Sequence, residues 1–251
     1  MSALVAAPHP ASARDRTGRS ELWSAYLGQL PYDAGVLLQE RLRERRLRNE
    51  IPDALLLLEH PPVYTKGRRT GPGDLPMGED WYRMQGIEVA ESDRGGRVTY
   101  HGPGQVVGYP IVAARDVLAY VRAVEAAVVA ALADSGVDAG VRPGLTGVWV
   151  GERKIGSIGV HVSRGVTTHG FAVNVENDLQ PFRWVVPCGL EGVQMTSVLR
   201  ETGARGQVEC FRRRVAFRLA EALDRRQRIV SVERLEGRTA DSRRAGPPVL
   251  A

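Results

Sequence analysis

The sequence predicts a single domain that combines helices with strands, and three observations lead to this. The chain has 251 residues, 43% of them apolar, which is enough to bury one sizeable core. Three segments repeat apolar residues at helical spacing. The sequence between them consists mostly of short apolar runs typical of strands, and one region has the turns of an antiparallel meander. We therefore expect a mixed α and β architecture.

The three predicted helices are defined by apolar residues three or four positions apart. They cover Asp33–Arg48, Val117–Asp134 and Val208–Leu223. The inward positions are Val36, Leu37 and Leu42 in the first helix, and Leu118, Val121, Val124, Val128 and Leu132 in the second. Gly136 supplies a stop signal for the second helix.

Strands are predicted where apolar runs are short and bounded by breakers. The clearest is Ala54–Glu59, an almost continuous leucine run that Pro61 and Pro62 end. Shorter candidates lie at Glu88–Glu91, Arg97–His101 and Val106–Val112.

A three-stranded meander is predicted over Gly147–Val175. Gly151-Glu152 forms a two-residue turn, and Ser163-Arg164-Gly165 turns the chain a second time. Lys154 then stands on the middle strand and, by the period of two, shares a face with Gly156, Ile158 and Val160.

Both ends of the chain have the composition of flexible segments. We expect a leader over 1–20, a single domain over 21–236 and a tail over 237–251. Neither a membrane span nor a cleavable signal is visible, which predicts a cytoplasmic protein with no membrane partner. In that compartment both cysteines, Cys188 and Cys210, would remain thiols.

The formal net charge of +5 favours an acidic partner. Nucleic acid would fit, but there is no zinc spacing, no helix-turn-helix pattern and no basic strand rich in aromatic residues, so no nucleic-acid partner is expected. The dense basic run Arg41–Arg48 is interpreted as a solvated helix face. An acidic carrier protein would explain the charge equally well.

Only two lysines, Lys66 and Lys154, occur among the 34 basic residues, and arginine fills the rest. An amine can lose its proton at accessible pH whereas a guanidinium cannot, so a lysine here is a candidate for proton transfer. Lys154 lies in an apolar strand and is the stronger candidate. Lys66 lies in a polar loop, Thr65–Arg69, and is interpreted as a residue with no special role.

Two further segments have residues poorly suited to filling a core. Arg94-Gly95-Gly96 offers a fixed cation and backbone amides, and a tight Gly-Pro-Gly turn follows Tyr100 and His101. Cys188 lies between Pro187 and Gly189 with no periodicity that would bury it, and a nearby cation would favour its thiolate. Cys210, in contrast, is expected on the inward side of a helix as a structural residue.

Four ordered motifs together resemble the bacterial octanoyltransferase family of lipoate biosynthesis. They are Arg94-Gly95-Gly96 continuing through Tyr100-His101-Gly102-Pro103-Gly104-Gln105, Lys154-Ile155-Gly156-Ser157-Ile158-Gly159-Val160, His169-Gly170-Phe171-Ala172-Val173-Asn174-Val175, and Pro187-Cys188-Gly189. The resemblance runs from about residue 55 to 199. It implies an α+β fold with a mixed, mostly antiparallel central sheet flanked by helices, similar to the catalytic domains of biotin ligase and lipoate ligase.

The resemblance also implies the reaction and the site. Octanoyl-acyl carrier protein would be the acidic donor, and a lysine on lipoyl domains of 2-oxoacid dehydrogenase complexes or on the glycine cleavage H protein the acceptor. Cys188 would hold an acyl thioester and Lys154 would lower its pKa, with no cofactor, no metal and a monomeric enzyme. The substrate pocket would be lined by Arg94, Gly95, Gly96, Arg97, Val98, Thr99, Tyr100, His101, Ser157, Ile158, Gly159, Gly170, Phe171 and Ala172.

The chemistry of the residues agrees with this interpretation. A thiol nucleophile, a proton-relaying amine, backbone amides for an oxyanion and an apolar channel bordered by Tyr100, Ile158 and Phe171 would suffice for acyl transfer. His101 would orient the acceptor amine or hold its loop, and the second role is favoured. Three alternatives remain: an ATP-dependent lipoate or biotin type of protein ligase with the same fold, a non-catalytic lipoyl-domain binding module, and a thioesterase.

Overall fold

The computed structural model describes residues 20–186 and 192–238 and arranges their strands in two sheets. The strands are Glu21–Gln29 (β1), Asp53–Glu59 (β2), Val63–Lys66 (β3), Glu88–Glu91 (β4), Thr99–His101 (β5), Gln105–Ile111 (β6), Gly140–Arg142 (β7), Leu145–Val150 (β8), Arg153–Ser163 (β9), Val166–Asn174 (β10) and Arg226–Ile229 (β11). The helices are Tyr32–Leu47 (α1), Glu79–Met84 (α2), Val117–Ala133 (α3), Val198–Thr202 (α4), Val208–Ala222 (α5) and Val232–Glu236 (α6), with 3₁₀ turns at Pro72–Asp74 and Gln180–Trp184.

The large sheet has eight strands in the order β11-β1-β2-β6-β10-β9-β8-β7. β1 runs parallel to both β11 and β2, and every other neighbouring pair is antiparallel. The smaller sheet, β4-β3-β5, contains one parallel and one antiparallel pair. The predicted α+β class with a mixed, mostly antiparallel sheet is confirmed.

Helices cover both faces of the large sheet. α3 and α5 pack on one face over a core that includes Val124, Val148 and Phe211, all fully buried. α1 packs on the opposite face over Leu38, Leu56 and Tyr109. The small sheet and α2 enclose a third, aromatic core. The large sheet is therefore the middle layer, and the small sheet flanks it.

The predicted helices and the meander are confirmed. β8, β9 and β10 are consecutive antiparallel neighbours, and their turns use Gly151, Arg164 and Gly165 at positive φ. The predicted strands at 54–59, 88–91 and 106–112 are present within a residue, and the one at 97–101 is shorter. The sequence interpretation missed four strands, β1, β3, β7 and β11, and the short helices α2, α4 and α6. It also assigned Lys66, the last residue of β3, to a loop.

Three predicted inward positions are wrong. Leu37 is 60% exposed, because the buried stripe of α1 runs through Leu38 and Leu42, about 100° round the helix. Leu118 is 65% exposed, since it stands two positions before the buried Tyr120 on α3. Cys210 is exposed for the same reason, because the core stripe of α5 begins at the next residue.

The predicted leader and tail fall almost entirely on residues 1–19 and 239–251, which lie outside the described residues. Cys188 and its neighbours, at 187–191, also lie outside them. No helix in the described ranges is both long enough and apolar enough to cross a bilayer.

Candidate active site

A pocket that opens to solvent lies where the segment 94–97 and β5 come over the strands of the large sheet. It is lined by residues from α1 and from five separate stretches of the chain: Tyr32, Arg94, Gly95, Gly96, Arg97, Thr99, His101, Val107, Tyr109, Ser157, Ile158, Gly159, His169, Gly170, Phe171 and Ala172. The mixture of apolar walls with a few polar groups is typical of a small-ligand site.

The pocket forms where the ladder between β6 and β10 is interrupted. The paired residues run from Asn174–Gln105 to Phe171–Gly108, and the pairing stops there. Two residues further along β6 is Pro110, which has no N–H to donate to a neighbouring strand. Opposite it, His169 adopts φ 56, a left-handed conformation that is strained for a residue with a side chain. Its N–H donates instead to Gln39 Oε1 on α1 at 2.6 Å.

The segment 94–97 is fixed as a lip over this opening. The buried Arg94 donates from Nη2 to the carbonyl oxygen of Thr65 at 2.6 Å and to Thr65 Oγ1 at 2.8 Å. Gly95 N donates to Val160 O at 3.0 Å. A Cβ on Gly159 would lie 2.8 Å from the carbonyl oxygen of Gly95, so only glycine allows the lip to lie this close to β9.

Two neutral histidines lie beneath the lip. His101 is buried, and its Nδ1 donates to Gln105 Oε1 at 2.7 Å. Burial, helped by the neighbouring His60, holds the pKa of His101 well below its usual range. His60 donates from Nδ1 to Leu30 O at 2.6 Å and accepts from the Tyr109 hydroxyl at Nε2, 2.7 Å away. These bonds fix the loop around His101 as well as the ring of Tyr109.

A carboxylate stands at the outer edge of the pocket. Asp93 Oδ1 accepts a hydrogen bond from His169 Nε2 at 2.6 Å, and His161 Nε2 lies 3.6 Å from Asp93 Oδ2. The bond from His169 lowers the pKa of Asp93 to about 2. The pair ties the lip to the strained residue of β10. No cluster of His, Cys, Asp or Glu suited to a metal ion occurs in the described part of the chain.

His60 gives a testable pH dependence of stability. Burial lowers its pKa in the folded protein to about 4 from an ordinary 6.5. Because the unfolded chain binds a proton first, stability present above pH 6.5 is lost as the pH falls toward 4. We expect about 2 kcal/mol less unfolding free energy at pH 5 than at pH 7.5 from this residue alone. Chemical denaturation at the two pH values measures this difference in unfolding free energy, which should be smaller in His60→Gln. Equal differences in both proteins would contradict the lowered pKa of His60.

The structure brings most of the predicted substrate residues together. All of them except Val98 and Tyr100 line the pocket. Val98 is fully buried and Tyr100 packs against Tyr64 and Phe182 in the aromatic core, so neither borders the predicted channel. Tyr32, Val107, Tyr109 and His169 also line it. Among these four residues, only Tyr109 had a local signal in the sequence, because it is a tyrosine within the otherwise apolar strand β6.

Lys154 is buried, with 4% of its surface exposed, but on a different face from the predicted one. The pairing of β8 with β9 shifts between Val148 and Trp149, which leaves Ile155 as an extra residue in β9. Ile155 therefore packs into the core beneath α3 and α5, and Ile158 packs against the same core. The amine of Lys154 lies 5.4 Å from the centre of the Trp149 ring, on the other face.

The backbone of Lys154 binds the segment that follows Cys188 in sequence. Its N–H donates to Gln194 O and its carbonyl oxygen accepts from Thr196 N, both at 2.9 Å. On the other side, Val186 N donates to Asp74 O at 3.1 Å. The two ends of the stretch 187–191 are thus anchored, one of them to the strand residue that carries the amine.

Gly147 controls the space beside this amine. It has φ 125, and a Cβ on it would lie 2.7 Å from Lys154 Cε and 2.6 Å from Gly156 O. Its N–H is held by the buried carboxylate of Glu125 on α3 at 3.0 Å. A side chain at position 147 would therefore displace the lysine.

The sequence predicts that Lys154 is a reacting group. On that prediction, Gly147→Ala should lower the turnover number by roughly 10- to 100-fold, since displacing a reacting group by about 1 Å has effects of that size. Gly144→Ala is the matched control, because Gly144 also has a positive φ, 77, but open space around it. Steady-state kinetics and melting temperatures of both variants test this. Equal turnover in the two variants would mean that the position of the Lys154 amine does not depend on the space left by Gly147.

Comparison with known proteins identifies the family of the chain. Residues 31–220 match the family described as the lipoyl protein ligase A/B catalytic domain. An octanoyltransferase of Solibacter usitatus is 53% identical over 168 residues, 65% of this chain and 76% of the relative. An octanoyltransferase of Thermobifida fusca is 45% identical over 195 residues, 72% of this chain and 80% of the relative.

Solved structures share the fold. A lipoate-protein ligase A with bound ATP superposes with a TM-score of 0.62 at 20% identity, covering 87% of this chain and 93% of that one. A bi-partite lipoate protein ligase from Thermoplasma acidophilum gives 0.64 at 20% identity, over 87% and 91%. At this identity the likeness establishes the fold alone.

The chain belongs to the lipoyl protein ligase A/B catalytic domain family. Within it, the chain groups with the octanoyltransferases, as the motifs predicted, and it is an acyltransferase.

Proposed function

We propose that this enzyme transfers an octanoyl group from octanoyl-acyl carrier protein to a specific lysine of lipoyl domains, through a thioester on Cys188. The observation that carries the proposal is the position of Lys154. It is a buried amine on a strand, and its backbone holds the chain segment only six residues after Cys188 in sequence. Six residues span at most about 20 Å, so the length of the chain permits the thiol to reach the amine.

The first step exchanges one thioester for another. The Cys188 thiolate attacks the carbonyl carbon of the donor, the bond to the donor sulfur breaks, and the carrier thiol leaves with a proton. Lys154, as the ammonium, stabilises the thiolate before attack and can supply that proton. Little free energy changes, so the acyl group stays activated on the enzyme.

The second step forms an amide. The amine of the acceptor lysine attacks the acyl carbon on Cys188, the carbon–sulfur bond breaks, and the sulfur leaves as thiolate. The proton lost by the attacking amine passes to Lys154, which restores the ammonium. Since an amide is more stable than a thioester, this step runs downhill.

The pocket supplies the apolar channel for the acyl chain. Val107, Ile158 and Ala172 offer apolar wall, and each buried methylene contributes about 0.8 kcal/mol to binding. The remaining predicted substrate residues that line this pocket belong to the same proposal.

The acceptors in this proposal are lipoyl domains of 2-oxoacid dehydrogenase complexes and the glycine cleavage H protein. The enzyme works as a monomer in the cytoplasm, where Cys188 stays reduced between turnovers.

The test is intact-mass spectrometry of the enzyme after incubation with octanoyl-acyl carrier protein. We expect one added octanoyl group, which hydroxylamine removes and which is transferred to a lipoyl domain when that acceptor is added. A parallel reaction with free octanoate and ATP examines the ATP-dependent ligase. Transfer only in that second reaction would overturn the proposal, as would release of octanoate to water in the presence of acceptor.

A further inference from the structure

Two exposed arginines, Arg68 and Arg69, stand on the loop that follows β3. Neither forms a salt bridge with any residue within 20–186 or 192–238. Exposed arginines elsewhere are mostly paired within the chain, for example Arg41 with Glu236 and Arg213 with Glu209. The neighbouring Lys66 holds both nearby carboxylates, Glu79 at 2.7 Å and Glu91 at 2.5 Å. The two guanidinium groups are thus left to face solvent.

This loop is fixed against the lip of the pocket. Arg68 N donates to Arg94 O at 3.1 Å and Arg69 N donates to Gly96 O at 3.0 Å. The approach needs Gly67, because a Cβ there would lie 2.5 Å from Gly96 O. The charges of Arg68 and Arg69 therefore stand on a surface whose backbone is continuous with the wall of the acyl site.

The same loop also reaches the chain that leads to Cys188. Asp74, at its far end, is buried, accepts from Arg97 Nε at 2.9 Å and bonds through its carbonyl oxygen to Val186 N. Val186 comes two residues before Cys188 in sequence. One surface element thus contacts both the lip of the pocket and Val186.

We propose that Arg68 and Arg69 form the docking surface for the acidic face of the carrier protein that delivers the acyl group. The inference rests on the proposed function, in which the acyl donor is a protein and must present its thioester beside this lip. Exposed, unneutralised guanidinium groups suit carboxylates on a partner surface. Such rim charges raise the association rate and lower KM more than they change the chemical step.

The experiment compares Arg68→Glu/Arg69→Glu with the wild type on two donors, octanoyl-acyl carrier protein and octanoyl-pantetheine, which has no protein and no phosphate. Arg213→Glu is the control, an exposed arginine on α5 at the opposite face of the sheet. We expect the KM for the carrier donor to rise roughly 10-fold or more in the double variant, with kcat little changed. Acylation by octanoyl-pantetheine should stay within about twofold of wild type, and the control should behave as wild type with both donors.

Each other outcome overturns the docking surface. An unchanged KM for the carrier donor, or an equal loss of activity with both donors, would show that the arginines do not recognise the carrier protein. A third donor, octanoyl-phosphopantetheine, distinguishes recognition of a phosphate: an equally large loss there would assign the arginines to the phosphate group. Normal acylation with slow transfer to the lipoyl domain would assign them to the acceptor. A wild-type enzyme that forms no adduct from any donor contradicts the proposed function itself.

Discussion

Replacing Cys188 by alanine is expected to abolish both the octanoyl adduct and transfer to a lipoyl domain, with kcat/KM falling by at least about 10³-fold. In the proposal the thiol is the one enzyme group that bonds to the acyl carbon, and loss of a nucleophile in a covalent mechanism removes most of the rate enhancement. Intact-mass spectrometry and a gel-shift assay of the acceptor measure the two effects separately.

Cys210→Ala is the matched control for this experiment, because Cys210 is an exposed free thiol on α5. It should acylate and transfer as wild type does. Binding of the lipoyl domain by the Cys188 variant should persist, since the acceptor surface is untouched. Sustained turnover by Cys188→Ala would favour direct transfer between the two substrates or an adenylate route.

Lys154→Arg should lower kcat by about 100-fold or more while leaving the fold intact. The guanidinium keeps the positive charge but cannot release a proton near neutral pH, so the relay between the two steps fails. Arginine is also larger, and the space beside Gly147 and Trp149 is closely filled. Single-turnover kinetics separate acylation of Cys188 from transfer, and we expect the transfer step to suffer more.

Lys66→Arg provides the comparison on the chain's other lysine. An arginine at position 66 can still pair with Glu79 and Glu91, so activity and melting temperature should stay near those of the wild type. Comparable turnover in Lys154→Arg and the wild type would reduce Lys154 to an electrostatic role. In that case the proton would have to pass through solvent or through a histidine.

Much of the fold could be predicted because its signals are local. The helix periods, the leucine run of β2 and the turn glycines of the meander each lie within a few residues. β1 was missed because it is buried along most of its length between two parallel neighbours, which removes the alternation that marks a strand. Leu37 and Leu118 were misplaced because apolar residues near a helix stripe look like members of it.

The site was only partly predictable for a related reason. Glycine-rich motifs and the rare lysine pointed to the right stretches, but an extra residue in β9 reversed the expected face of Lys154. Tyr32 and Tyr109 come to the pocket from distant elements, and no short-range pattern links them. The gap at Pro110 depends on which strand lies opposite it, and that partner is set by the whole sheet.

The near-absence of lysine bears on how an enzyme of this kind avoids acting on itself. In the proposed reaction the enzyme holds an activated acyl group, which would gradually acylate any accessible lysine of the same molecule or of another copy. Here one amine is enclosed, and hydrogen bonds to Glu79 and Glu91 raise the pKa of the other, Lys66, so that it remains a non-nucleophilic ammonium. Arginine in the remaining basic positions gives solubility and charge without providing a target for self-acylation.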